Sequence, residues 1–161
     1  SRDPKNGEAA VALLRAKGHS NVREMQLDVT LQSSIDAFAR QLEAEYGSGC
    51  IRNLVNNAGF AYPGPSQFET AAKMGRPLEP NPPFSVQAER SIAVNFDGVR
   101  NVTNTLRRFD LFKSGNNNQA GEKTRVVIVG SGAGLQALNM VGEEVAKAAA
   151  APTLTEEKAV E

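Results

Sequence analysis

Tryptophan is absent from these 161 residues, and cysteine and histidine occur once each, as Cys50 and His19. One thiol makes no internal disulfide, and one thiol with one imidazole makes no Cys-rich zinc site, so the sequence calls for no metal. Nothing pairs the two as nucleophile and base either: Cys50 reads as a small apolar filler, and His19 follows the helix-ending Gly18. An excess of charge is also missing. Eighteen Lys and Arg balance eighteen Asp and Glu, which leaves no net field to favour nucleic acid or an anionic membrane. The basic cluster Arg100, Arg107, Arg108 and Lys113 reads as a solvated helix face, because no aromatics are interleaved with it. No apolar run approaches the ~18 residues of a membrane span, and the opening SRDPKNGEAA lacks the apolar centre of a signal peptide. The chain reads as soluble and cytoplasmic. Aromatics are only 6% of the residues against 40% hydrophobic overall, so its core must be aliphatic, and the length suffices for one domain that buries roughly 70% of its unfolded surface.

What is present is an alternation of helices and short strands. Asp3 is placed to cap a helix over 4–17 with Pro4 in its first turn, where a missing N–H costs nothing, and Gly18 ends it. Residues 22–27 read as a strand, and Thr30 as the cap of a second helix whose apolar stripe is Ile35, Phe38, Leu42 and Tyr46. Ile51, Leu54 and Val55 suit a short buried strand that runs into Asn56-Asn57-Ala58-Gly59. Between 60 and 83 lie six of the eight prolines, which argues for a long loop or insertion without continuous helix. A third helix is expected over 85–112 with Ile92, Phe96, Val99 and Leu106 on one face, then a polar turn at 114–121, a strand at 125–129, and an alanine-rich stretch at 145–151. Thr153 to Glu157 reads as the cap of another short helix. This order predicts an α/β fold with a parallel sheet and right-handed connections.

The motif order carries the chemistry. Leu27-Asp28-Val29-Thr30, Leu54-Val55-Asn56-Asn57-Ala58-Gly59, Val94-Asn95-Phe96 and Val127-Ile128-Val129-Gly130-Ser131, at these separations, resemble the short-chain dehydrogenase/reductase family. The resemblance covers nearly the whole chain. Ser1-Arg2-Asp3-Pro4, Gly7-Glu8-Ala9-Ala10, Gln26-Leu27-Asp28-Val29, Gln87-Ala88-Glu89 and Leu154-Thr155-Glu156-Glu157 bring it nearest to the carbonyl reductase branch. A competing reading takes Val129-Gly130-Ser131-Gly132-Ala133-Gly134 as a G-x-G-x-x-G pyrophosphate turn, but the third glycine would have to stand at Leu135.

The resemblance implies a partial Rossmann-type doubly wound parallel sheet, in which this chain supplies the third, fourth and fifth strands of the order 3-2-1-4-5-6. It implies NADP as cofactor. Arg2 would pair with the 2′-phosphate, Asp28 would accept from the adenine amino group, Val29 would be a further cofactor contact, and Asn56, Ala58 and Gly59 would line the adenosine ribose. Read without the resemblance, Arg2 is a solvated charge and Asp28 a helix-flanking carboxylate. Ser131 would hydrogen-bond the substrate carbonyl oxygen, and Asn95 would hold a water in the proton relay, a special reason for an asparagine in mid-helix. Residue 128, an asparagine in many relatives, is Ile128 here. The catalytic Tyr-x-x-x-Lys pair is not found: Tyr46 is followed four places on by Cys50 and Tyr62 by Ser66. The Gly-rich phosphate turn is likewise absent. The expectation is therefore the middle of a reductase, an incomplete dinucleotide-binding domain over 1–161 with an insertion at about 60–83. A second insertion, of the helical kind carried by carbonyl reductases, would begin at about 139–161. The whole protein would be a monomeric NADPH-dependent oxidoreductase acting on a small ketone, aldehyde or quinone. The alternative is a truncated or non-catalytic nucleotide-binding relative that acts through protein contacts.

Overall fold

The computed structural model describes residues 1–113, 123–131, 142–144 and 147, in two units, Ser1–Ile128 and Val129–Glu161. In the first unit α1 spans Pro4–Ala16, and the Asp3 carboxylate accepts from the Lys5 N–H at 2.9 Å. Cap and proline act as their chemistry predicts. The second helix, α2 (Gln32–Tyr46), departs from expectation at its start: Leu31 occupies the cap position and makes no side-chain bond. Thr30 is drawn instead to Asp28, whose Oδ1 accepts from both its N–H and its hydroxyl.

Residues 22–27 are extended but form no ladder strand. Among the described residues they pair in sheet-like fashion with Ser1, whose nitrogen donates to the Met25 carbonyl and whose carbonyl accepts from the Leu27 N–H, both at 2.9 Å. The observed sheet has two parallel strands, β1 (Asn53–Asn56) and β2 (Arg125–Ile128), in the register Asn53 to Arg125 through Asn56 to Ile128.

Among the described residues three α-helices and a π-helical turn lie between the strands. The proline-rich segment holds α3 (Pro65–Lys73), which corrects the expectation of loop alone: Pro65 stands in the first turn, and Gln67 Oε1 accepts from the Gly64 N–H at 2.6 Å. The expected third helix is α4 (Phe84–Ile92), a π-helical turn over Ala93–Gly98, and α5 (Val99–Arg108). It stops before 112. A π turn adds a residue to the turn and rotates everything beyond it. That is why Ile92 and Phe96 are half exposed while Val102 and Leu106 are buried.

The core joins Ile35 and Ala39 of α2 to Val102 and Leu106 of α5, with Leu111 beside them and Leu54 of β1 packed against the cluster. Val55 is not buried as expected, and every residue of β2 is exposed. Two strands offer too few neighbours to cover a sheet. In the second unit, Val129, Gly130 and Ser131 follow β2, and Lys147 pairs with Glu143, four residues before it, at 2.7 Å. The turn at 114–121, Gly132–Gly134, the cap at 153–157, and most of 139–161 with its alanine-rich stretch lie outside the described residues.

Candidate functional site

Asn56 closes β1 with its side chain enclosed, at 9% exposure. A buried amide needs partners. Its Nδ2 donates to Thr103 Oγ1 at 3.2 Å, and that hydroxyl donates to the Val99 carbonyl at 2.8 Å, so the carboxyl end of the strand is fixed to α5. Val29, Asn56 and Ala58 then meet Val94, Gly98 and Val99 around a notch of about 10 Å³, room for one water. The sequence places these three candidates apart, and the fold brings them together. Gly98 makes the approach possible, since a Cβ there would stand 2.9 Å from Val29 Cγ2 and 3.0 Å from Val29 Cβ. Its φ of −58° is ordinary helix, so glycine is required for space and not for conformation. A glycine inside a helical repeat was the one sequence signal for this contact; Thr103 carried none.

Asn95 sits within the π turn. Its Oδ1 accepts from the Phe60 N–H and its Nδ2 donates to the Phe60 carbonyl, each at 2.8 Å. This two-point clasp holds the chain directly after Gly59, whose missing side chain leaves only Asn95 Oδ1, at 3.8 Å, near the Cβ position. The amide remains reachable.

At the other end of the site, Asp28 Oδ1 accepts from the Thr30 hydroxyl at 2.6 Å and the Thr30 N–H at 2.9 Å. These bonds, the hydroxyl foremost, hold its carboxyl below the usual range against the opposing effect of burial, and the Arg2 charge acts in the same direction. Arg2 is thus within electrostatic reach of Asp28, on a segment whose Arg2 carbonyl accepts from Gln26 Nε2 at 3.3 Å. Both Thr30 bonds fall on Oδ1, and among the described residues Oδ2 keeps its capacity to accept. Ser131 is exposed and belongs to the second unit.

The basic helix face is more structured than the sequence implied. Arg40 and Arg108 flank the Phe109 ring, at 6.0 and 5.6 Å from its centre, and Arg100 stands 5.7 Å from that of Phe96. Asp36 and Asp97 pair with Arg108 and Arg100, so these guanidiniums are occupied with packing and neutralisation. Among the described residues no three His, Cys, Asp or Glu gather at one place, and no helix is long and apolar enough to cross a membrane.

The sequence profile of the short chain dehydrogenase family matches residues 1–161. The chain is similar to carbonyl reductase (NADPH) 1 of Sus scrofa, 36% identical over 160 residues that are 99% of this chain and 46% of that protein. It is equally similar to carbonyl reductase (NADPH) 3 of Rattus norvegicus, 36% identical over 97% of this chain and 47% of that protein. The chain therefore spans about half the length of these relatives. Among solved structures, the menthone neomenthol reductase of Mentha piperita superposes with a TM-score of 0.65 at 26% identity, covering 98% of this chain and 59% of that one.

Proposed function

This chain belongs to the short chain dehydrogenase family, and from that premise we propose that it is part of an NADP-dependent carbonyl reductase acting on ketones, aldehydes or quinones. The observation that carries the reading is the meeting of Val29, Asn56 and Ala58 on one notch at the carboxyl end of a parallel strand, where open α/β sheets bind their ligands. The named relatives, both carbonyl reductases using NADPH, support the substrate class and the cofactor.

The residues present fit such a cofactor as a wall. The notch is too small for a ring, so it would flank the adenosine ribose without enclosing it. Arg2, an exposed planar donor beside Asp28, suits a 2′-phosphate, and Asp28 Oδ2 suits the adenine amino group. When bound, NADPH supplies the hydride. Asn95, its amide committed to Phe60, keeps one N–H for a water on the proton path. Ser131 donates its hydroxyl to the substrate oxygen as negative charge grows there. The general acid, a tyrosine paired with a lysine, and the Gly-rich phosphate turn are assigned to sequence outside these residues, and the whole protein to a monomer.

Arg2→Ala should raise the Kd for NADPH at least tenfold, about what one charged hydrogen bond is worth, and change that for NADH about twofold or less. Titration of both dinucleotides into the complete protein measures this. Equal weakening of the two would count against a phosphate contact. The exposed β2 row favours a second reading, a non-catalytic relative that works through protein contacts. Coding sequence on either side that lacks both the Gly-rich turn and Tyr-x-x-x-Lys would decide for it.

A further inference from the structure

The polar side of α5 bounds a cleft that the proposed function does not use. It holds about 580 Å³ between the start of α2 and α5, and its lining is Gln32, Asn101, Asn104, Thr105, Arg107 and Arg108. Asn101, Asn104, Thr105 and Arg108 stand at i, i+3, i+4 and i+7 and so share one side of the helix, while Val102 and Leu106 are buried on another. All six residues belong to the first unit, and none of them lines the notch at Val29 and Asn56.

One wall of the cleft is fixed. Gln32 Nε2 donates to Asp36 Oδ1 and to Thr105 Oγ1, both at 2.9 Å, which commits both of its N–H groups and sets the direction of its amide. Arg108 donates Nη2 to the same Asp36 oxygen at 2.8 Å and stands 5.6 Å from the centre of the Phe109 ring. Asp36 thereby offsets one of the two guanidinium charges. Among the described residues the side chains of Asn101, Asn104 and Arg107 engage no partner. One uncompensated positive charge and two uncommitted carboxamides therefore border a space of the size that takes a small ligand.

The lining selects the chemistry of that ligand. A guanidinium can grip an anionic oxygen group at two points, and a carboxamide both donates and accepts, as a hydroxyl partner requires. Among the described residues no aromatic ring and no carboxylate lines the cleft, so flat apolar molecules find nothing to stack on and cations find no counter-charge. From this geometry we infer that the cleft is a binding site for a sugar phosphate. Arg107 takes the phosphate, Asn101 and Asn104 take the hydroxyls, and Gln32, Asp36 and Arg108 keep the wall in place. The site stands whether or not the protein reduces carbonyls.

Calorimetric titration of the complete protein carrying this chain tests the site, with D-glucose 6-phosphate as probe beside D-glucose and inorganic phosphate. Saturable binding of the sugar phosphate is expected with a Kd below about 1 mM, about tenfold or more tighter than either part alone, and weakening as salt rises. Arg107→Ala should weaken it about tenfold or more, the worth of a charge-assisted hydrogen bond, and Asn104→Ala about three- to tenfold. Arg107→Lys should recover only part of the affinity, because an ammonium lacks the planar fork. The alanine variants should keep the wild-type Tm, since neither side chain has a partner in the fold to lose. Saturating NADPH and Arg2→Ala should each leave the Kd within about twofold, which separates the cleft from the phosphate contact assigned to Arg2. No saturable binding up to about 10 mM, equal binding by Arg107→Ala and wild type, or binding lost under NADPH or with Arg2 would overturn the site. Inorganic phosphate that binds as tightly as the sugar phosphate would overturn the ligand class.

Discussion

Asp28 shows how a single side chain serves both fold and site. Its Oδ1 organises the turn into α2 through Thr30, and its other oxygen is the acceptor we propose for the adenine amino group. Because those bonds lower its pKa in the folded chain, it contributes stability above its unfolded value of about 3.9, which is lost as pH falls through the depressed folded value. Asp28→Asn cannot titrate. Thermal melts from about pH 7 down to about pH 3 should therefore show the wild type losing stability more steeply in acid than the variant, below the unfolded value of about 3.9. Parallel curves would contradict this. At this scale the sequence was informative where chemistry is local: Asp3 and Pro4 start α1 as their types require. It misled at Thr30, since a hydroxyl two residues past a carboxylate has a nearer acceptor than the helix behind it.

The helical run 84–108 is where elements lock to one another. Its π turn puts Asn95 against Phe60 and Gly98 against Val29, so one irregularity sets both halves of the site. A six-residue π turn leaves no trace in a 3.6-residue pattern, which is why the apolar face read as Ile92, Phe96, Val99 and Leu106 holds only beyond it. Gly98→Ala tests the lock. The added methyl must displace Val29, and the usual cost of overpacking, about 1–3 kcal/mol, exceeds the gain of about 1 kcal/mol from replacing a helical glycine. We expect a net loss of about 1 kcal/mol in urea unfolding, together with weaker NADPH binding, because Val29 lines the notch. A stabilised variant would show that the contact is slack. Helix α3 departs from the pattern for a different reason: the prolines of 60–83 argue against continuous helix, yet a proline in the first turn starts a helix as readily as it ends one.

Across the whole molecule, the α/β class and the parallel pairing of β1 with β2 were legible, since a strand, a helical crossover and a second strand admit few arrangements. The strand expected at 22–27 is not assigned among the described residues, because ladder bonds depend on residues far away in sequence, which a local pattern does not reveal. The exposed row Val126 to Val129 follows from the same cause. Among the described residues β2 has β1 as its strand neighbour, and the chain spans about half the length of the relatives it matches. The candidate site in the first unit has the same character: a small notch lined by Val29, Asn56 and Ala58, and a clasped asparagine.

The measurement that bears most directly on this account is NADPH oxidation in the presence of a quinone by the complete protein and its Ser131→Ala variant. The account predicts steady turnover in the wild type, and in the variant a loss of about 100-fold or more in kcat with NADPH binding retained, the usual effect of removing a donor to a developing oxyanion. Full activity in Ser131→Ala, or a complete protein that binds NADPH and never oxidises it, would contradict it.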